Sequence, residues 1–309
     1  MQKLLITIEP KSYFATAPKG DTLFGQLCWM LRNAKGEDFL TQALSGYVEG
    51  EPFMVLSDAM PSGFVPRPNL PMELFDICEE NSDRKAIKKI KWIPSEYLQT
   101  PVADWLKHHS EKLKPQVWKS TTTTHNSIDR RTSTTGNGFA PYAVEQQWPE
   151  DGARLDIHLL FNSEKIDRET IISAVIDMGS FGFGKDAAIG AGKFTISSIS
   201  DDIMQKQPDA NAMLTLAPSA PQMQGFDNDK SFYTLFHRFG RHGGWAVQTG
   251  KVYKNPLLLA DSGAVFYCHN SSERVFAGQG IGGNGKLSKA IPETVHQGYA
   301  PVIPVKIEV

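Results

Sequence analysis

Between Phe236 and Pro256 the sequence reads FHRFGRHGGWAVQTGKVYKNP, which interleaves Arg238, Arg241, His242, Lys251 and Lys254 with Phe236, Phe239, Trp245 and Tyr253. Cations set among aromatic rings suit a single nucleic-acid strand, whose bases stack on rings while its phosphates pair with charge. A surface strand pair around a buried tryptophan is the plainer use of the same residues. A second stretch, MGSFGFGKDAAIGAGKF from Met178 to Phe194, places five glycines within fourteen positions and brackets them with Lys185 and Lys193. Without side chains, a backbone can meet a phosphodiester through its N–H groups and grip it without reading bases. The alternative is a set of tight turns that need positive φ.

Other chemistry is sparse. GSFGFGK, residues 179–185, fits the first seven positions of a phosphate-binding loop, but the eighth is Asp186 where a Ser or Thr would hold magnesium. That loop also runs from strand to helix, whereas here a helical pattern comes first. GQGIGG, residues 278–283, fits a dinucleotide glycine pattern, but NGKLSKAIP follows it, too short and proline-bounded for the required helix. No G-x-S-x-G elbow or H-E-x-x-H occurs, and Cys28, Cys78 and Cys268 form no C-x-x-C pair, so neither a metal site nor a catalytic residue is assigned and no cofactor is expected. His125 with Asp129 and Arg130 has the parts for metal-independent RNA cleavage, an imidazole near neutral pKa and a cation for the phosphorane. In a polar arm they read rather as binding groups.

The elements that would position these groups follow from periodicity. KLLITI puts Leu4, Ile6 and Ile8 on one strand face. GDTLFGQLCWMLRNA then predicts a helix with Asp21 or Thr22 as its cap and Leu23, Phe24, Leu27, Met30 and Leu31 at helical spacing. After a proline-rich stretch comes RKAIKKIK, five cations in eight residues, a solvated helical face. KSTTTTHNSIDRRTSTTGNGF, residues 119–139, lacks the apolar groups of a core and reads as a long β-hairpin arm or a mobile loop. RLDIHLLF predicts a strand, DRETIISAVIDMG a helix starting near Asp167 or Arg168, and KFTISSIS another strand. Two strand–helix–strand units in this order suggest a ferredoxin-like α+β plan for residues 1–205, interrupted by a basic insertion at about 71–118 and an arm at about 119–148. Short strands then indicate a smaller β-rich domain over 206–309.

A formal net charge of −2 excludes a chain that is basic all over, so nucleic-acid binding would need local segregation of charge. No apolar run of about 18 residues occurs, and MQKLLITIEPKS has no apolar leader, so a soluble, cytoplasmic protein without membrane contact is expected.

Four stretches in order, GDTLFGQLCWML, HNSIDRRTSTT, GFGKDAAIGAGKF and RHGGW with KNP and SGAVF, together resemble the RAMP proteins of CRISPR systems, closest to the fourth Csm subunit of type III-A effector complexes. The resemblance covers most of the chain. It implies two ferredoxin-like domains of the RNA-recognition type, a projecting β-hairpin thumb and a non-catalytic role in antiviral defence. Such a subunit holds the 5′ repeat-derived tag of the crRNA beside the large Cas ten-type subunit, next to a backbone RAMP subunit, with target RNA near the thumb.

Carried over, Gly182, Gly184, Lys185, Gly190, Gly192 and Lys193 would line the tag-binding loop. Asn126, Arg130 and Arg131 would lie at the thumb, and Arg241, His242, Gly243, Gly244 and Trp245 in the second domain's RNA-facing motif, with Arg238 and Lys254 beside them. GRHGG departs from the expected Lys-Arg-Gly-Gly, placing His242 where an arginine often stands. AAIGAGKF has alanines where polar residues are common, which implies a main-chain grip. The first histidine, His108, stands too late for the general base of the related RAMP endoribonucleases that process precursor RNA. That enzyme, and the equivalent subunit of a type III-B complex, are the alternatives.

Overall fold

A computed structural model describes residues 1–77, 84–107, 115–135, 138, 140–201, 206–243, 250 and 252–308. In chain order its elements are β1 (Gln2–Pro10), α1 (Gly20–Lys35), α2 (Glu37–Ala43), β2 (Met54–Leu56), β3 (Met60–Pro61), β4 (Phe64–Pro66), α3 (Arg84–Lys88) and β5 (Trp92–Pro94). There follow β6 (Trp118–His125), β7 (Tyr142–Pro149), β8 (Leu155–Phe161), α4 (Arg168–Phe181) and β9 (Phe194–Asp201). The remainder is β10 (Ala212–Thr215), β11 (Asp227–Phe232), β12 (Leu235–Arg238), β13 (Leu257–Ala260), β14 (Val265–Tyr267), β15 (Phe276–Gly282) and β16 (Val295–Val305).

The first sheet has strand order β2-β8-β1-β9, with β3 also on β8, and all of its ladders are antiparallel. Alternation in β1 buries Leu4, Ile6 and Ile8 against α1 and α4. In α1 the spacing of Leu23, Phe24, Leu27 and Leu31 makes one apolar stripe, and in α4 Ile171, Ala174, Val175 and Met178 make another. Ile172, at the margin of that stripe, is only half-buried. Asp167 caps α4, its carboxylate accepting from the Thr170 N–H at 2.7 Å.

The cap of α1 departs from the expectation at Asp21 or Thr22. Lys19 holds the N-cap position without a side-chain capping bond, and the carboxylate that meets the helix end is Asp58, which accepts from the Gly20 N–H at 2.8 Å. A distant carboxylate serves as well as a local one, since what it must satisfy is an orphan N–H and the positive end of the helix dipole.

The second sheet runs β11-β14-β10-β16-β15. Among the described residues of 206–309 no α-helix occurs, a difference from the helix-backed plan of a second ferredoxin-like unit. Its cover comes from β4 and the insertion instead. Val65, Ile87, Ile90, Ile93, Leu98 and Trp105 share one buried cluster with Leu214, Val265, Ile303 and Val305 of the sheet. The basic run is thus amphipathic: Ile87 and Ile90 point into that core while Lys88, Lys89 and Lys91 stay exposed. The GQGIGG segment lies mostly in β15, paired with β16 in register Gly278↔Tyr299 and Gly280↔Gln297.

The two sheets are joined by buried polar contacts. The Gln297 amide donates to the Leu56 carbonyl at 2.8 Å and accepts from the Leu56 N–H at 2.9 Å, so a side chain completes the edge of β2. Tyr299 donates from its hydroxyl to the Tyr47 carbonyl at 2.6 Å. No described helix is long and apolar enough to cross a membrane.

Candidate nucleic-acid interface

The threonine-rich stretch forms an antiparallel ribbon of β6 and β7, in register from Trp118↔Pro149 to His125↔Tyr142. Most of its side chains are exposed on both faces, as a sequence without apolar alternation requires. At the tip Asn126 and Arg130 are exposed. Arg131 pairs with Asp129 through Nε at 3.2 Å and Nη2 at 2.9 Å, so its charge is largely answered within the loop. His125 stacks on Tyr142 with centroids 5.6 Å apart, and Asp129, its expected partner, belongs to Arg131.

The root of the ribbon and the glycine loop share a seam. Phe14 lies between Trp118 and Phe183, with centroids 5.3 and 6.1 Å away, and its N–H donates to the Gln147 carbonyl at 3.0 Å. Tyr13 packs on Trp148 at 5.3 Å. Residues 12–16 carry no motif that would have marked this role in the sequence.

The glycines answer mostly to this chain. At Gly192 φ is +69°, and a Cβ would stand 2.1 Å from the Phe183 carbonyl oxygen. Gly182 and Gly184 are crowded likewise by Ala191 and Thr16, and only Gly190, at φ +97°, has open space. The main-chain donors are also engaged: Phe183 N–H bonds Gly192 O at 2.9 Å, Lys185 N–H bonds Thr16 Oγ1 at 2.9 Å, Gly192 N–H bonds Tyr13 O at 2.8 Å and Lys193 N–H bonds Ser12 Oγ at 2.9 Å. Of the positions expected to form a main-chain grip on a phosphate, Lys185, Gly192 and Lys193 therefore have their N–H groups closed within the fold, and donors so closed are not offered outward. What the loop presents is the exposed side chains of Lys185 and Lys193.

In the 236–256 stretch, β-pleating sorts what the sequence interleaves. Arg238 turns inward and donates to both oxygens of Asp21, 2.6 Å from Nε and 2.8 Å from Nη2. His242 is buried, its Nε2 2.7 Å from Ser288 Oγ, and Gly243 lies against the Trp29 indole, 3.2 Å from where its Cβ would be. Lys254 sits near Cys28 and Asp21, and burial pushes its pKa down. Of the residues expected to face RNA, Arg238 and Lys254 thus turn toward α1, at Asp21 and near Cys28, while His242 turns to Ser288. Arg241, Phe239 and Tyr253 remain exposed on the outer side, with Arg241 bridged to Tyr253. Gly244, Trp245 and Lys251 lie outside the described residues.

The Asp21 site is electrostatically tight. Burial pushes its carboxyl up, but His296, 3.1 Å from Oδ2, and Arg238 more than offset this and hold it down at about 2. Burial pushes His296 and His242 below the ordinary histidine range. Nearby, Lys19 bridges Asp58 at 3.1 Å and Asp261 at 2.7 Å, a second ion-paired link from the start of α1 to the second sheet's side.

No family model matches the chain, and no curated protein matches it. Solved structures do. A chain of the Csm1-Csm4 cassette in complex with pppApA superposes with TM-score 0.63 at 14% identity, covering 100% of this chain and 99% of that one. A chain of the same cassette in complex with AMPPNP gives 0.60 at 15%, with both chains covered in full. A chain of the Csm3-Csm4 subcomplex in the type III-A CRISPR-Cas interference complex gives 0.58 at 13%, covering 99% of this chain and 100% of that one. From end to end, the fold of this chain is one that Csm4-containing type III-A CRISPR complexes also use.

Proposed function

We propose that this chain is the Csm4-type subunit of a type III CRISPR effector complex, which holds the 5′ repeat-derived tag of the crRNA without cleaving it. Csm4 is the component common to the similar cassette and subcomplex, and its companions there, Csm1 and Csm3, support other complex subunits as partners, which we read as a large Cas ten-type subunit and a backbone RAMP subunit. The β-α-β-β-α-β order of the first sheet is read as a ferredoxin-like RNA-recognition unit, and the second sheet as its helix-poor counterpart.

The observation that carries the reading is the seam at Phe14. It fixes the exposed Lys185 and Lys193 of the loop against the root of a projecting ribbon whose tip carries Asn126 and Arg130. Cations on a rigid loop beside a polar arm suit a strand gripped by its phosphates and divided by the arm. Arg241 with Phe239 and Tyr253 adds a charged, ring-bearing face.

The deciding experiment purifies the tagged protein from its native host and sequences the co-purifying RNA and proteins. Guides sharing one repeat-derived 5′ end, with a large Cas ten-type partner, are expected; their absence overturns the reading. Lys185→Glu combined with Arg241→Glu, both at exposed positions, should leave the fold intact and strip the guide. Defined cleavage of repeat RNA in EDTA, lost on His125→Ala, would instead establish the endoribonuclease.

A further inference from the structure

A cleft of about 730 Å³ opens between the start of α1, the β4–β5 ladder with α3, the ribbon root at Trp118 and the 261–262 turn. Its two carboxylates, Asp58 and Asp261, are both engaged by Lys19. Three further cations line it. Among the described residues the Arg67 guanidinium has only neutral partners: Nη1 donates to the Ile87 carbonyl at 2.9 Å, Nη2 lies 3.0 Å from Met72 Sδ, and the Phe75 ring is 5.6 Å away. Its main-chain N–H donates to the Lys91 carbonyl at 2.9 Å, which brings Lys91 alongside, and Lys88 closes α3 on the same side. Lys88 and Lys91 are exposed, and neither has a carboxylate partner among the described residues. The same cleft is lined by the half-buried indoles of Trp92 and Trp118.

Among the described residues these three cations have no carboxylate of their own, since Asp58 and Asp261 pair with Lys19; like charges so placed repel one another, and the arrangement is relieved when an anion enters. Indoles beside such a cluster take the face of a base. The volume lies within the range of small-molecule sites. We infer that this cleft binds a phosphate-bearing nucleotide unit, with Arg67, Lys88 and Lys91 meeting the phosphate and Trp92 or Trp118 the base. The unit is either a free nucleotide or one residue of an RNA strand. The inference rests on the RNA-holding reading only in its choice of ribonucleotide probes.

The test titrates the purified full-length chain with adenosine 5′-monophosphate and, separately, with a short single-stranded oligoribonucleotide, reading tryptophan fluorescence and anisotropy at several salt concentrations. The variant combines Lys88→Gln with Lys91→Gln, exposed positions whose change should not move the thermal transition. If the unit belongs to a strand, the slope of log K against log salt falls by about 1.4, from about 0.7 per cation, whereas Lys185→Gln lowers that slope without changing the Trp signal. If it is a free nucleotide, the wild type shows saturable quenching by the monophosphate that the variant loses. Equal titrations of variant and wild type with both probes, or no binding of either, overturn the inference. The RNA-holding reading is judged apart from this, by guide co-purification.

Discussion

Arg238 donates from Nε and Nη2 to the two carboxylate oxygens of Asp21, at 2.6 and 2.8 Å, across 217 residues of sequence, and the Asp21 side chain is fully shielded from solvent. This fork pins the β12–β13 hairpin to the first helix. Removing one partner leaves the other charge buried and alone, so Asp21→Ala should cost about 3–5 kcal/mol. Replacing both residues with apolar ones should recover much of that loss. Chemical denaturation of the single and double variants measures it.

Acid should weaken the fold in two stages. His296 and His242 have folded pKa values below the ordinary 6.5, so the unfolded chain binds their protons first. Their contribution is complete above about pH 6.5 and falls as pH drops from there. Asp21, depressed from 3.8 to about 2, contributes roughly 2 kcal/mol that is present above pH 3.8 and lost on descent to about pH 2. Melting curves across this range should show both steps, with His296→Gln reducing the first.

The two late glycines of the loop should respond differently to a methyl group. Gly190→Ala meets open space, so its cost should be the left-handed backbone alone, about 1–2 kcal/mol. Gly192→Ala also drives Cβ against the Phe183 carbonyl, and should cost about 3 kcal/mol or more. Urea midpoints of the two variants separate a turn requirement from a close approach.

Gln297→Met should leave the Leu56 N–H and C=O buried without partners, at about 1–3 kcal/mol each. Because that amide ties β2 to β16, amide exchange at Leu56 should accelerate before global unfolding.

Asp167→Ala removes the cap on the Thr170 N–H and should cost about 1 kcal/mol, seen as a lowered denaturation midpoint with an unchanged fold.

Local physics made part of this protein legible in its sequence. Alternation in KLLITI fixes the buried face of β1, the spacing of Leu23, Phe24, Leu27 and Leu31 fixes that of α1, and the threonine-rich stretch, with nothing to bury, announces an exposed ribbon. The glycine loop and its two lysines are visible for the same reason, since positive φ and missing side chains leave a mark in composition. Three things were decided only by the tertiary structure. Asp21 reads as a cap because capping is local, yet its partners Arg238 and His296 arrive from the far end of the chain. The cations and rings of 236–256 look alike until packing against α1 chooses which face of the hairpin is buried. The basic run of the insertion reads as a solvated helix, but the isoleucines within it find the second sheet and leave its lysines around a cleft. Periodicity specifies that a residue turns toward an interior; which distant residue waits there depends on chain crossings that no local pattern contains.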